Sequence, residues 1–222
     1  MGTLYLVRHG QASFGAADYD QLSELGARQC HALGQWFKEH DVAFEAVLTG
    51  TLRRHTQSLT ALTDGHGGLP PATPWPGLNE FDSEGVIRAI HPAPLATADS
   101  PAVYKAHFRL LRDGLAAWMA GSSAPAGMPS WTDFAAGVAG ALEHVRSRHS
   151  GNVLIVSSGG PIATAVGQVL GATPETTIEL NLRIRNSAVT ELAFSPKRHH
   201  LVVFNHLPHL DAAERRSWIT YA

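Results

Sequence analysis

Two short apolar runs each stop abruptly at a turn that contains glycine, and this feature constrains the fold more than any other. Residues 3–7 read Thr-Leu-Tyr-Leu-Val and are followed by Arg8, His9 and Gly10. Residues 152–156 read Asn-Val-Leu-Ile-Val and are followed by two serines and two glycines. Continuous apolar runs of this length are typical of strands that are buried on both faces. They predict a sheet that is covered by helices.

Helical patterns alternate with these strands along the chain. Apolar residues spaced three, four or seven apart predict a helix of about four turns that begins near Ser23. A second strand at residues 46–49 runs into a polar helix at 52–63, and Pro161 is expected to open the helix after the strongest strand. Strands are also predicted at 187–194 and 201–204. The alternation predicts an α/β fold, a three-layer α/β/α sandwich with a largely parallel sheet.

The remaining segments are predicted from their composition and spacing. A Gly- and Pro-rich stretch at residues 65–76 reads as a surface loop, and 81–100 reads as irregular. Helical spacing returns at 103–119 and again after Ser130, which is placed to cap the second of these helices. We interpret 81–150 as a helical cap inserted into one domain of residues 1–222, and the polar tail from Pro208 as mobile.

Composition excludes several classes of protein. The 222 residues carry 17 Lys plus Arg against 19 Asp plus Glu, so no basic field favours a nucleic acid partner. The single cysteine, Cys30, cannot form an internal disulfide, which favours a reducing compartment. No apolar run approaches the roughly 20 residues needed to span a bilayer. We therefore expect a cytoplasmic protein without a membrane partner.

Chemistry is expected where the strands end, because open α/β sheets bind ligands beyond the carboxyl ends of their strands. Arg8 and His9 place a fixed cation beside a nucleophile or base at the end of the first strand. Arg53 and Arg54 stand at the start of a helix, where the backbone N–H groups also favour anions. Each pair is a weak signal alone, but together they predict an oxyanion site.

Five segments in order resemble one family. They are Leu-Val-Arg-His-Gly-Gln at 6–11, Tyr-Asp-Gln-Leu-Ser-Glu-Leu-Gly at 19–26, Leu-Arg-Arg-His-Thr-Gln-Ser at 52–58, Leu-Asn-Glu at 78–80 and Val-Ser-Ser-Gly-Gly-Pro-Ile at 156–162. Their order and spacing are similar to those of the histidine phosphatase superfamily, also called phosphoglycerate mutase-like. The resemblance covers residues 3–206 and implies a phosphoglycerate mutase-like fold.

The resemblance implies a two-step phosphoryl transfer that uses neither a metal nor a cofactor. His9 matches the nucleophile, and a hydrogen bond from its other ring nitrogen to a backbone carbonyl would set its tautomer. Arg8 and Arg54 match the arginines that hold the phosphoryl oxygens, and the family spacing favours Arg54 over Arg53.

A carboxyl group completes the implied machinery. Glu80 matches the general acid that protonates the leaving oxygen, which requires a raised pKa. Asp82 and Glu84 lie close to Glu80 in the sequence and are the alternative candidates for the general acid. Gln11 and Gly159 are predicted as further phosphate-binding residues, at the ends of the two buried strands.

One residue departs from the family pattern. The turn after the strongest strand normally carries Ser-His-Gly-Gly, and this chain has Ser158 in place of that histidine. Ser158 is predicted to bind phosphate as a weaker donor, at a cost on the order of 100- to 1000-fold in rate. We expect Ser158→His to be as fast as the wild type or faster, and consider His206 and His209 as distant substitutes. The mutase-type asparagine near Gly15 is also missing.

Four functions remain open at this point. The preferred one is a phosphatase acting on a small phosphate monoester or a phosphoprotein, including phosphohistidine, through phospho-His9. The others are a phosphoglycerate mutase, a phospho-ligand binding protein with weak or no turnover, and a serine hydrolase that uses Ser158 as its nucleophile. The sequence does not reveal the leaving group or the oligomeric state.

Overall fold

The computed structural model describes residues 1–13, 20–95 and 100–221, and six strands in these ranges form one sheet. The strand order across the sheet is β3-β2-β4-β1-β5-β6. The strand bounds are β1 Gly2–Arg8, β2 Ala46–Thr49, β3 Ala72–Pro74, β4 Asn152–Ser157, β5 Val189–Ser195 and β6 Arg198–His206.

The sheet is largely parallel, as predicted. Strands β1 to β4 pair in parallel, whereas β5 pairs antiparallel with both β1 and β6. The register between β1 and β4 places Thr3 opposite Asn152 and Arg8 opposite Ser157. Because both strands run the same way, His9 and Ser158 follow their last paired residues at the same edge of the sheet.

Alternate side chains of the central strands enter two separate cores, one on each face of the sheet. Leu4 and Leu6 join the core that contains helices α5 (Trp131–Arg148) and α6 (Gly159–Leu170). Val7 joins the core with α1 (Glu24–Glu39) and α2 (Arg53–His66). This alternation follows from the two-residue period of a strand. The α/β/α sandwich is thus confirmed.

Two helices begin where the sequence predicts, and a serine caps each of them. Ser23 Oγ accepts the N–H of Gly26 at 3.0 Å and begins α1. Ser130 Oγ accepts the N–H of Asp133 at 3.1 Å and begins α5. A side-chain oxygen at this position satisfies a backbone donor that the first helical turn leaves unpaired.

Several loop predictions were wrong. The predicted surface loop at 65–76 contains β3, which pairs with β2, and α2 extends to His66. The irregular stretch at 81–100 contains α3 (Ser83–Ile90), which buries Val86 and Ile87. A further helix, α7 (Pro174–Asn181), was not predicted. These elements are three to eight residues long, too short for a periodic pattern to be legible.

The tail and the start of α6 also differ from the sequence prediction. Beyond Pro208 the chain forms two 3₁₀ turns, Pro208–Leu210 and Ala213–Trp218. The carbonyl of Trp218 accepts a hydrogen bond from Gln29 Nε2 at 2.6 Å, so this part of the tail is packed on α1. Helix α6 begins at Gly159, so Pro161 is its third residue and not its first.

The predicted cap segment, 81–150, is helical over most of its described residues. Helix α3 packs on α4 (Pro101–Met119), with Val86 against Gly114. Helix α5 places Phe134 in the same core as Val86 of α3 and Trp118 of α4. Helices α3 and α4 also contribute side chains to a cleft that Arg8 and His9 line at the end of β1. No helix in the described ranges has the length and apolar character to cross a membrane.

His209 makes the stability of the fold sensitive to acid. Its side chain is 3% exposed, and burial together with the charge of Arg215 lowers its pKa to about 3. Below its ordinary pKa of 6.5 the unfolded chain binds a proton there and the folded chain does not, so stability is lost as pH falls from 6.5 towards 3. We expect this residue to cost about 2 kcal/mol of unfolding free energy between pH 7 and pH 5.

Urea unfolding at both pH values measures this effect. His209→Gln removes the titrating group, so its unfolding free energy should fall less between pH 7 and pH 5 than that of the wild type. Equal losses in the two proteins would show that His209 does not carry the acid sensitivity.

Candidate active site

His9 stands where β1 ends, with its ring orientation set by the backbone. Its Nδ1 lies 2.7 Å from the carbonyl of Gly10, and its main-chain N–H donates to the carbonyl of Ser157 at 2.8 Å. A carbonyl only accepts, so Nδ1 carries the proton and the Nε2 lone pair is left for a substrate. Burial, then the charges of Arg8 and Arg54, hold the pKa of His9 well below its ordinary value. The imidazole is neutral, as a nucleophile must be.

The turn after His9 depends on a glycine. A Cβ on Gly10 would lie 2.3 Å from the carbonyl oxygen of Gly26 in α1, so a side chain does not fit there. The N–H of Gly10 donates to Ser58 Oγ at 3.0 Å, and Ser58 Oγ donates in turn to the carbonyl of Arg54 at 2.7 Å. This chain of bonds ties the end of β1 to the first turn of α2. It therefore sets His9 relative to Arg54.

Arg8 and Arg54 reach the same cleft from distant parts of the chain. Arg8 Nη1 donates to the carbonyls of Ile184 and Tyr221. Arg54 Nη1 lies 2.7 Å from Asp20 Oδ1, and the side chain of Arg54 is 9% exposed. Both guanidinium groups line the cleft together with His9.

Asp20 is a functional candidate that the sequence reasoning did not single out. Its Oδ2 accepts the N–H of Arg53 at 2.8 Å while its Oδ1 holds Arg54, so one carboxylate caps α2 and orients the guanidinium. The available signal was its place in the second matching segment, next to Tyr19, which lies outside the described residues. Arg53 is exposed and Arg54 is buried, in agreement with the choice of Arg54 from the sequence.

Glu80 is the carboxyl group that the structure brings to the cleft. Its Oε2 accepts the N–H of Gly160 at 3.1 Å and its Oε1 accepts the N–H of Phe81 at 3.2 Å. Burial raises the pKa of Glu80 above its ordinary value, although the bond from Gly160 and the charge of Arg54 oppose the shift. The protonated form that a general acid needs is thereby favoured.

The rival carboxylates are engaged elsewhere. Asp82 Oδ2 lies 3.4 Å from Arg88 Nη2, and Glu84 Oε2 lies 3.8 Å from Arg88 Nη1. The Asp82 side chain is 50% exposed and that of Glu84 is 78% exposed, so both sit on the solvated side of α3. The positions of these side chains therefore favour Glu80 over Asp82 and Glu84 as the candidate general acid.

Ser158 is buried, and a histidine that the sequence reasoning missed lies against it. The Nε2 of His55 is 2.6 Å from Ser158 Oγ, and the rings of His55 and His9 have centroids 5.8 Å apart. Burial, together with the charge of Arg54, lowers the pKa of His55 to about 3. Of the substitutes considered from the sequence, His209 instead contacts Ser187, with Nε2 2.9 Å from Oγ.

Two other predicted site residues have structural contacts. Gln11 Oε1 accepts a hydrogen bond from Ser23 Oγ at 3.1 Å, so this side chain reaches towards the start of α1. Gly159 is the first residue of α6, and a Cβ there would lie 2.8 Å from Asn181 Oδ1. Gly159 therefore permits the close approach of α6 and α7.

The cleft, counted together with the open solvent at its mouth, spans about 760 Å³. Its polar lining residues are the two arginines, His9 and Glu80, and Ser83 and Asn181 add neutral polar groups. The rest of its wall is apolar or aromatic: Phe81, Phe108, Leu111, Leu182, Ile184 and Tyr221. Of the residues that line it in the described ranges, only the two arginines are cations. The cleft thus offers cationic groups for an anion and apolar surface for an apolar group.

These features occur together in one known family. The model of the histidine phosphatase superfamily (branch 1) matches residues 4–207. The chain belongs to this superfamily, and the resemblance seen in the sequence is confirmed. A comparison with curated proteins finds no match. Among the described residues, no group of three or more His, Cys, Asp or Glu side chains is placed to hold a metal ion.

Solved structures share the fold at low sequence identity. A phosphoserine phosphatase from Entamoeba histolytica has a TM-score of 0.65 at 20% identity, covering 95% of this chain and 100% of its own. A mycobacterial glucosyl-3-phosphoglycerate phosphatase has 0.64 at 22% identity, covering 92% and 99%. A phosphoglycerate mutase from Bacillus anthracis has 0.65 at 18% identity, covering 94% of both. The phosphoglycerate mutase-like fold is thereby confirmed.

Proposed function

We propose that the protein is a phosphatase that hydrolyses phosphate monoesters through a phosphohistidine at His9. The observation that carries the proposal is the neutral imidazole of His9, which lines one cleft with two guanidinium groups and a carboxyl group of raised pKa. During transfer the phosphoryl group carries negative charge on its three equatorial oxygens, and guanidinium groups stabilise that charge. No step in this chemistry calls for a metal.

The reaction takes two steps at the same phosphorus. In the first, His9 Nε2 attacks the phosphorus, the ester P–O bond breaks, and protonated Glu80 gives its proton to the leaving oxygen. In the second, a water molecule attacks the phosphohistidine while the Glu80 carboxylate takes a proton from that water. The P–N bond breaks, inorganic phosphate leaves, and both His9 and Glu80 return to their starting forms.

The wall of the cleft favours hydrolysis over mutase chemistry. A mutase must hold a second anionic group of its substrate while the phosphoryl group moves, and the cleft in the described ranges has no cation beyond Arg8 and Arg54. Phe108 and Tyr221, two of its aromatic lining residues, are 45% and 59% exposed. We propose a small monoester with an apolar or aromatic leaving group, because such a group buries apolar surface there.

A direct comparison of substrates tests this proposal. We expect phosphate release from an aryl phosphate to exceed isomerisation of phosphoglycerate by at least about 100-fold, and EDTA to leave the rate unchanged. Rapid quenching without acid during turnover should trap a phosphoenzyme. This species should be labile in acid and stable in alkali, as expected of phosphohistidine. Faster isomerisation would favour the mutase, and tight phosphate binding without turnover would favour a binding protein.

A further inference from the structure

Ser158 does not do what a serine at the start of a helix usually does. It is the N-cap residue of α6, a position where a serine side chain normally accepts an N–H from the first helical turn. Here Ser158 Oγ makes no such bond and instead lies 2.6 Å from His55 Nε2. Both side chains are fully buried, so the contact is sealed from water.

The surroundings of His55 indicate which atom holds the proton. Its Nδ1 is buried without a hydrogen-bond partner and packs against Gly50, where a Cβ would lie only 2.1 Å away. A buried N–H without an acceptor is costly, so the proton is placed on Nε2. Nε2 then donates to Ser158 Oγ, and the hydroxyl hydrogen of Ser158 is left to donate to another acceptor.

The pair of His55 and Ser158 lies next to His9. The parallel register of β1 and β4 places Ser158 beside His9, and the ring of His55 lies 5.8 Å from that of His9. Arg54, the residue before His55 in α2, faces the same cleft. The pair therefore lies directly beside the proposed nucleophile and one residue away from an arginine of the cleft.

We propose that His55 is a positioning residue that holds the Ser158 hydroxyl so that it donates to a phosphoryl oxygen during transfer to and from His9. The proposal rests on the phosphatase function above. The two residues come from α2 and from the turn after β4, and together they supply the donor that Ser158 alone was expected to supply weakly. Because Nε2 donates to an oxygen that itself donates, each bond polarises and strengthens the other.

This arrangement reverses the sequence-based expectation for Ser158→His. That substitution was expected to equal or exceed the wild type, but a second imidazole at residue 158 would occupy the space of the His55 ring, only 2.6 Å from the serine oxygen. We now expect Ser158→His to be slower than the wild type. The double variant Ser158→His with His55→Ala clears that space and should recover part of the loss.

A double-mutant cycle tests the proposal. Ser158→Ala and His55→Leu should each lower kcat on the order of 100-fold with little change in KM, since each removes the same donor. The double variant should be no slower than the slower single variant, because the two residues act as one unit. His55→Gln, which keeps an N–H donor, should recover most of the rate. The proposal would be overturned if the fold-losses in kcat of the two single variants multiplied in the double variant, or if His55→Gln did not recover the rate.

Two controls separate this test from folding and from the proposed function. His209→Gln changes another buried histidine that contacts a serine, and it should leave kcat unchanged while lowering the melting temperature. Trapping the phosphoenzyme in Ser158→Ala should still give the acid-labile species. An acid-stable phosphoenzyme in the wild type that is missing from Ser158→Ala would make Ser158 the nucleophile and overturn both proposals. If the phosphohistidine forms normally but the fold-losses of the two single variants multiply in the double variant, only the role of His55 is overturned.

Discussion

The His9→Ala protein is expected to hydrolyse phosphate monoesters at least about 10⁴-fold more slowly than the wild type, with no phosphoenzyme detected. The remaining side chains still bind the phosphoryl group, since Arg8 and Arg54 are intact. Without the imidazole, however, water must attack the ester directly, and Nε2 no longer stands in line with the leaving oxygen. Phosphate release under saturating substrate, combined with trapping of the phosphoenzyme, measures both effects.

A matched histidine provides the control for this result. His31 lies on the exposed face of α1, and His31→Ala should retain the wild-type rate. Vanadate or inorganic phosphate should still protect the His9→Ala protein against thermal unfolding, because the arginines that line the cleft remain. Wild-type turnover by His9→Ala would contradict the mechanism, whatever the substrate.

The Glu80→Gln protein is expected to lose about 10²- to 10⁴-fold in kcat/KM on an alkyl phosphate, and much less on p-nitrophenyl phosphate. An alkoxide leaves poorly without a proton, whereas p-nitrophenolate leaves readily. Glutamine keeps the size of the side chain and can still accept the N–H of Gly160, so the cleft should keep its shape. The ratio of the two losses therefore isolates proton donation from binding.

The pH dependence gives a second measure of the role of Glu80. Burial raises its pKa, and the first step needs the protonated carboxyl group, so kcat/KM should fall as pH rises through that raised pKa. This alkaline decline should be missing in Glu80→Gln. Glu84→Gln, at an exposed position on α3, should keep both the rate and the profile. Equal losses on the two substrates, or an unchanged profile, would show that Glu80 is not the acid.

The parts of the site that could be predicted lie at the ends of buried strands. An apolar run that stops at Arg8 and His9 already shows where a strand must end, because a strand buried on both faces cannot carry charge along its length. The start of α2 was predicted from a strand that runs into a polar helix, and the family spacing then favoured Arg54 over Arg53. Glu80 required the family resemblance, since a carboxylate in an irregular stretch has no pattern of its own.

Other parts of the site depend on contacts between distant segments. Asp20 holds an arginine 34 residues away, and His55 contacts a serine 103 residues away. Nothing in the local sequence of either residue signals these pairings, because each is set by the packing of α2 against the turns that follow β1 and β4. The tail from Pro208 was misjudged for the same reason, since main-chain carbonyls there accept hydrogen bonds from Gln29 of α1 and from Arg8.

The amino-acid sequence by itself predicted the sandwich of helices on a largely parallel sheet and the family, and it proposed His9 as the nucleophile with Arg8 and Arg54 beside it. These features follow from local periodicity and from short motifs in a set order. Only the tertiary structure decided which carboxyl group faces the cleft, that apolar and aromatic residues form part of its wall, and that His55 contacts Ser158. These depend on burial and on distances between remote residues, which arise only when the two cores close around the sheet.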